Sequence, residues 1–206
     1  EHFVFLLVEE FSHIAFSCAV EPLRIANLVS GKTLYKWSFM SENGQTATCS
    51  NGSVALVHHK YENTPDCDRV FVLSGIHVQN HITDKLLACV RKLRVGKAHL
   101  GALCSGALVL AKAGILDGHQ AAIHWEFHDG FMEEFPEINL VSNVFVADDK
   151  YITASGGTAT ADLTVAGRSL ELFSLPGPLF HQAPSSLLFV LDHTLRAEAA
   201  ARAAEA

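Results

Sequence analysis

The sequence predicts an α/β fold in which a mainly parallel sheet carries helices on both faces. Short, continuous apolar runs such as Phe3–Val8 and Arg69–Leu73 are typical of strands that are buried on both faces. Segments with apolar residues three or four positions apart come between such runs, and the stretch from Leu86 to Leu93 has this helical spacing. Strands that alternate with helices predict a three-layer arrangement around a parallel sheet.

The other elements follow from apolar patterning and from the glycines and prolines that interrupt it. In the first half, the pattern predicts a helix at Ile14–Val29 that ends at Ser30-Gly31, and strands at Tyr35–Met40 and Val54–Val57 around the turn-rich stretch Ser41–Gly52. In the second half, it predicts strands at Ala98–Leu103 and Ala121–Ile123, helices at Ser105–Lys112 (capped by Gly114) and Glu126–Glu134, and a hairpin of Val144–Ala147 and Tyr151–Ala154 around Asp148-Asp149.

The pattern at the carboxy-terminal end is less regular. A helix is predicted to open at Gly156-Gly157, with Leu163, Ala166, Leu170 and Phe173 on one face, before Pro176–Pro178 interrupts it. A last helical stripe lies between Leu187 and Leu195. We therefore expect one domain over residues 1–195 and an alanine-rich tail or linker over residues 196–206.

Composition excludes several classes of function. No apolar run approaches the 18 or so residues that a membrane span needs, so we expect no membrane association. The net charge is −7, and Lys and Arg form no cluster that would bind phosphate groups, so these residues alone should not bind DNA. The five cysteines form no CxxC pair, which predicts neither disulfides, nor a metal site, nor another cofactor, and favours a reducing, cytoplasmic compartment.

The most informative motif is Gly101-Ala-Leu-Cys-Ser-Gly106, in which a buried strand runs into Cys104 and then into a helix. A tight turn of this kind is a nucleophile elbow, and the head of the helix favours a thiolate. The backbone N–H of Ser105 and one from the Gly75-Ile76 loop are candidates for an oxyanion hole. The alternative is a structural cysteine at a tight strand–helix junction.

A nucleophilic cysteine also needs a base and an acid that orients the base. His124 is the best candidate for the base because it follows a short strand that ends near the same sheet edge. Trp125 is a candidate ligand contact or, equally, a core residue. Glu126 is expected to begin a helix, and the alternative is a His-x-Glu dyad with His124. Glu9 and Glu10 follow the first strand, where an activating acid would lie, but the alternative is that water solvates both.

Six stretches stand out by their content, order and spacing: Ala19–Asn27, Gly101–Gly106, Leu110–Gly118, Ile123–Trp125, Glu133–Pro136 and Ser155–Ala159. Together they make residues 1–165 resemble the PfpI/ThiJ superfamily, and more specifically the amino-terminal domains of AraC-type transcription regulators. The resemblance implies the flavodoxin-like, class I glutamine amidotransferase-like fold. It also implies a small-molecule effector, and the segment Glu21–Asn27 resembles that of regulators of quaternary-amine catabolism, such as those for betaine or carnitine.

Three departures from the superfamily bear on function. Its enzymes carry a glutamate near the position of Ala15, and its protease-like members carry a histidine at the position of Ser105. Neither group is present, so Cys104 and His124 are interpreted as vestiges of a catalytic site. After Ala166 the regulators usually continue one long helix, whereas this chain has the proline-rich interruption.

The sequence thus predicts an effector-sensing domain rather than an enzyme, with a site built from Gly75, Ile76, Cys104, Ser105, His124 and Trp125. A homodimer is expected, and DNA binding is expected only through a helix-turn-helix domain that these residues do not include. The alternatives are a cysteine hydrolase, amidase or isonitrile hydratase-like enzyme, and a redox or aldehyde-stress sensor that uses Cys104.

Overall fold

The computed structural model describes residues 1–147 and 150–169. In chain order the strands are β1 (His2–Leu7), β2 (Lys36–Ser41), β3 (Thr46–Thr48), β4 (Val54–Leu56), β5 (His59–Lys60), β6 (Arg69–Leu73), β7 (His99–Leu103), β8 (Gln120–Ala121), β9 (Asn139–Leu140), β10 (Phe145–Ala147) and β11 (Tyr151–Ala154). The helices are α1 (His13–Ser30), α2 (Asp84–Arg94), α3 (Gly106–Lys112), α4 (His128–Glu134) and α5 (Ala159–Ser169).

Seven of these strands form one sheet in the order β10-β11-β7-β6-β1-β2-β5. All neighbours in it are parallel except β10 and β11, which form the predicted hairpin. Strands β1, β6 and β7 lie side by side, and their last residues Leu7, Leu73 and Leu103 are in register. The loops that follow these three strands therefore leave the sheet at one edge, where α/β sheets bind ligands.

The sheet separates two apolar cores, as the continuous apolar strands predict. On β1, Val4 and Leu6 pack into the core beneath α2, α3 and α4. Phe3 and Phe5 point to the other face, which α1 and α5 cover. Successive side chains of a strand point to opposite faces, so a run buried on both sides must be apolar throughout. The predicted three-layer fold is confirmed.

Local signals set the ends of the helices. Ser12 caps α1 by accepting a hydrogen bond from the N–H of Ala15, and Gly31 ends it in the left-handed conformation at φ +63°. The short strands β5 and β9 were not predicted, and two further segments differ from the prediction. The turn-rich stretch contains β3, which pairs with β4, and the helix predicted from Glu126 begins instead as a 3₁₀ turn at Trp125–Phe127.

Several predictions fall on residues outside the described ranges. These are the Asp148-Asp149 turn, the positions of Leu170 and Phe173, the proline-rich interruption, the Leu187–Leu195 stripe and the alanine-rich tail. Within the described ranges, no helix is long and apolar enough to cross a membrane. All five cysteines lie in these ranges and are free thiols.

Candidate functional site

Cys104 occupies a sharp turn between β7 and α3, as the motif predicts. Its backbone has φ +61°, a left-handed conformation that non-glycine residues rarely adopt. A side chain at Gly106 would overlap the carbonyl oxygen of Val72 on β6, so only glycine lets α3 begin this close to the sheet. Strained conformations of this kind often occur at functional sites, and here one fixes a thiol at the ligand-binding edge.

The thiol of Cys104 is poorly activated. The residue is only 6% exposed, and burial raises the pKa of the thiol to about 11. Hydrogen bonding from Ser105 opposes this shift, whereas the negative charge of Glu126 adds to it. The donors at the head of α3 favour the thiolate, as expected, but removing the sulfur from water outweighs them and the pKa rises.

The hydroxyl of Ser105 forms hydrogen bonds that hold the Gly75 loop against the elbow. Its hydroxyl donates to the carbonyl oxygen of Gly75 and lies 2.8 Å from the hydroxyl oxygen of Ser74. Both serines are fully buried. The predicted oxyanion hole, with the N–H of Ser105 and one from the Gly75-Ile76 loop as its donors, stays a prediction.

His124 lies beside the elbow but does not bond to the sulfur. Its backbone N–H donates to the carbonyl oxygen of Cys104 at 3.3 Å. Its imidazole Nδ1 accepts from the N–H of Glu126 at 3.5 Å, which starts the 3₁₀ turn. Among the hydrogen bonds of the described residues, none joins this imidazole to Cys104. Nδ1 of this imidazole is therefore engaged within the 3₁₀ turn and not with the thiol.

Trp125 is exposed at the rim of the site. It is 73% exposed, so the alternative that it is a core residue was wrong. Its ring centroid lies 5.6 Å from that of His124. Ile76 is also exposed, at 47%. Of the predicted site residues, Gly75, Cys104 and Ser105 are buried and are called the floor below, and Ile76 and Trp125 are exposed and are called the rim.

The acids that follow β1 have partners of their own. Glu9 accepts a hydrogen bond from the N–H of Thr48 at 2.9 Å. Glu10 Oε2 lies 2.8 Å from His77 Nδ1 and 3.2 Å from His81 Nε2, and these hydrogen bonds lower the pKa of its carboxyl. The alternative that both glutamates are simply solvated was wrong, but neither of them is bonded to Cys104.

The position at which the superfamily's enzymes carry their glutamate holds a methyl group here. Ala15 is fully buried in the first turn of α1. Within the described residues, no carboxylate is hydrogen-bonded to the sulfur of Cys104; the acid that affects it, Glu126, raises its pKa. The same residues contain no group of three His, Cys, Asp or Glu side chains placed to hold a metal ion.

Sequence reasoning missed two features of the site. Gly156 has φ +90°, and a Cβ added to it would lie 2.6 Å from Cβ and 2.9 Å from Sγ of Cys104. Its backbone thus covers the thiol directly. The second missed feature is the left-handed backbone of Glu10, at φ +60°. The Gly156-Gly157 pair signalled only the start of a helix, and nothing in the sequence signals a left-handed glutamate.

The DJ-1/PfpI family model matches residues 2–166, which include every element of this site. The chain belongs to the DJ-1/PfpI family. An AraC family transcriptional regulator from Pseudomonas putida has a similar crystal structure, with a TM-score of 0.72 and 22% identity over 81% of this chain and 91% of that one. The likeness confirms the predicted fold.

Curated relatives in the family are mostly regulators. Two of them, from Pseudomonas aeruginosa, are the HTH-type transcriptional regulators CdhR, 38% identical over 79% of this chain and 48% of its own length, and GbdR, 36% identical over 77% and 43%. An isonitrile hydratase from Pseudomonas putida is 30% identical over 57% of this chain and 51% of its own length. The chain spans about half the length of the curated relatives that it matches. The predicted resemblance to AraC-type regulators is confirmed, and an enzyme among the relatives keeps catalysis as the alternative.

Proposed function

We propose that this DJ-1/PfpI chain is the effector-sensing domain of an AraC-type transcription regulator, and that it binds a small metabolite without transforming it. The observation that carries the proposal is the state of Cys104: a buried thiol whose pKa is about 11, with Ala15 where an activating acid would be. A cysteine nucleophile reacts as its thiolate, so a thiol of this kind is a poor catalyst. The regulators among the relatives support the same conclusion.

The chemistry of the rim favours a cationic effector such as a quaternary amine or an amino-acid derivative. Trp125 presents an exposed indole, and the charge of the adjacent Glu126 extends to Cys104. An indole face attracts a cation through its quadrupole, and a nearby carboxylate attracts the same charge over a longer distance. We place the effector over the floor of Gly75, Cys104 and Ser105, against His124, with Ile76 and Trp125 at its sides.

The whole protein would act through DNA. In this proposal it is a cytoplasmic homodimer, and a helix-turn-helix domain outside these residues binds paired half-sites. The relatives, about twice as long as the stretch they share with this chain, support such an additional domain. The effector must bind one arrangement of the dimer more tightly than the other, because equal affinity for both shifts nothing.

A thermal-shift screen with quaternary amines, amino acids and polyamines tests the proposal. A compound at 100 times its Kd should stabilise the domain by about 2.7 kcal/mol. Trp125→Ala should weaken the binding of a hit by roughly tenfold, since a cation–π contact contributes about 1–2 kcal/mol. Met132→Ala removes another exposed apolar side chain, on α4, and should leave affinity unchanged. A panel without a binder, or equal losses in both variants, would contradict the proposal.

The second candidate is a cysteine-dependent hydrolase, amidase or isonitrile hydratase. The observations that favour it are the elbow at Cys104 and the 30% identity to an isonitrile hydratase. Amide and isonitrile panels assayed with the native chain and with Cys104→Ala decide between the two. Turnover that is lost in Cys104→Ala would establish the enzyme, and no turnover from either protein supports the sensor.

A further inference from the structure

The contact between Gly156 and Cys104 connects the candidate site to α5. Gly156 is buried, and its Cα lies so close to the cysteine that no side chain fits between them. The N–H of Cys104 donates to the carbonyl oxygen of Ala154, the last residue of β11, at 2.9 Å. The segment between β11 and α5 is therefore in direct contact with Cys104, and a ligand that binds at the thiol would contact this segment.

The chain turns sharply in this segment, at two consecutive glycines. Gly156 and Gly157 are both left-handed, with φ +90° and +55°. A Cβ on Gly157 would have no neighbour within 4 Å, so this residue has open space around it. The carbonyl oxygens of the two glycines accept the hydrogen bonds of Ala159 and Thr160 in the first turn of α5, at 3.2 and 3.3 Å. A displacement of the glycine pair would therefore be passed directly to the start of the helix.

An incompletely filled interface lies beneath α5. A cavity separates Thr160, Leu163 and Thr164 of this helix from Phe71 and Leu103 of the sheet. The hydroxyl oxygen of Thr160 is buried there and has no hydrogen-bond partner among the described residues. A buried hydroxyl without a partner costs free energy, so α5 is held less firmly at this point than a fully paired interface would hold it. This observation is independent of the Gly156 contact and identifies a weak point beneath the first turns of the helix.

We propose that α5 is the output element of the domain: an effector seated on Cys104 displaces Gly156, and α5 moves over the cavity in response. This inference rests on the proposed sensing function. The family match ends within α5, at residue 166. In the proposed regulator, a domain on the carboxy-terminal side of the family match would be connected to it through α5 and the residues that follow. The movement need only be small, because packed interfaces switch between discrete arrangements.

Hydrogen exchange measured by mass spectrometry on the full chain tests the coupling without knowledge of the effector. Cys104→Met imitates an occupied site by placing bulk against Gly156. Exchange in peptides spanning residues 157–169 should become about tenfold faster, while peptides from β1 and α2 stay unchanged. Cys104→Ser, nearly equal in size to the native residue, is the matched control and should leave exchange in α5 as it is.

Thr160→Val supplies a second, opposite test. It replaces the unpaired hydroxyl with a methyl group of similar shape, so α5 should be held more firmly and its amides should exchange about tenfold more slowly. Unchanged exchange in α5 with Thr160→Val, or faster exchange spread over the whole chain with Cys104→Met, would overturn the proposal. A ligand screen without a binder would instead overturn the sensing function, and these two variants would still report the coupling.

Discussion

Glu10 holds His77 across two loops: its Oε2 atom lies 2.8 Å from Nδ1 of the imidazole. Glu10 belongs to the loop after β1, and His77 to the loop after β6. His81 reaches the same oxygen at 3.2 Å. The backbone of Glu10 is left-handed at φ +60°, and its carbonyl oxygen lies where a Cβ on Gly75 would be. The contacts of Glu10 with His77 and His81, called the Glu10 clamp below, thus hold the loop after β6, which carries Gly75.

The Glu10 clamp predicts acid-sensitive stability. Its hydrogen bonds lower the pKa of the Glu10 carboxyl in the folded protein. The carboxylate therefore stabilises the fold at pH values above its unfolded-state pKa, and the contribution is lost as pH falls through the folded-state pKa. We expect Glu10→Gln to lower the melting temperature at neutral pH, and this difference should vanish in strong acid. Glu133→Gln, an exposed change on α4, is the control, and equal pH profiles for the two variants would contradict the prediction.

The raised pKa of Cys104 predicts slow alkylation at neutral pH. With a pKa of about 11, only about one molecule in a thousand carries the thiolate at pH 8. The rate of iodoacetamide labelling at Cys104, followed by peptide mapping, should rise about tenfold per pH unit up to pH 10. Cys67, whose pKa is also raised to about 11 by burial, provides an internal comparison. A labelling rate that levels off by pH 8 would instead reveal an activated, enzyme-like thiol.

Substitution by alanine at two glycines should change the free energy of unfolding in opposite directions. Gly106→Ala would force a methyl group onto the carbonyl oxygen of Val72, and overpacking of this kind costs about 3 kcal/mol. Gly130 lies inside α4 with no neighbour within 4 Å of an added Cβ. Alanine there should stabilise the protein by up to about 1 kcal/mol through its higher helix propensity. Urea unfolding measures both, and equal effects would show that the elbow tolerates a side chain.

Local patterning was enough to predict the fold and most of the floor of the site. The strands β1, β6 and β7 are buried on both faces, so their apolar runs identify them, and parallel order then brings Gly75 and Cys104 to one edge. The small residues on either side of Cys104 predicted the tight turn there, because a sharp turn leaves no room for larger side chains. A pattern that depends on burial and on turn geometry can be read from neighbouring residues alone.

The parts that were missed depend on contacts between distant segments. Whether Trp125 faces the core or water is decided by where its 3₁₀ turn lies on the domain, and neighbouring residues do not encode this. The pKa of Cys104 is raised by burial, and one of the residues that cover the thiol is Gly156, which is far away in sequence. The two histidines that contact Glu10 come from another loop, and its left-handed backbone is bonded to the distant Thr48. Each is a tertiary effect that overrides a local preference.

The buried pair of Ser74 and Ser105 predicts strong energetic coupling. Their hydroxyl oxygens are 2.8 Å apart, and Ser105 also donates to the carbonyl oxygen of Gly75. Ser105→Ala leaves the hydroxyl of Ser74 buried without this partner, so it should cost about 1–3 kcal/mol of folding free energy, and Ser74→Ala should cost a similar amount. Removing both hydroxyls leaves neither of them unpaired. The double variant should therefore cost less than the sum by about 1 kcal/mol or more. Strictly additive losses in urea unfolding would show that the two serines act independently and that Ser105 does not tie the elbow to the Gly75 loop.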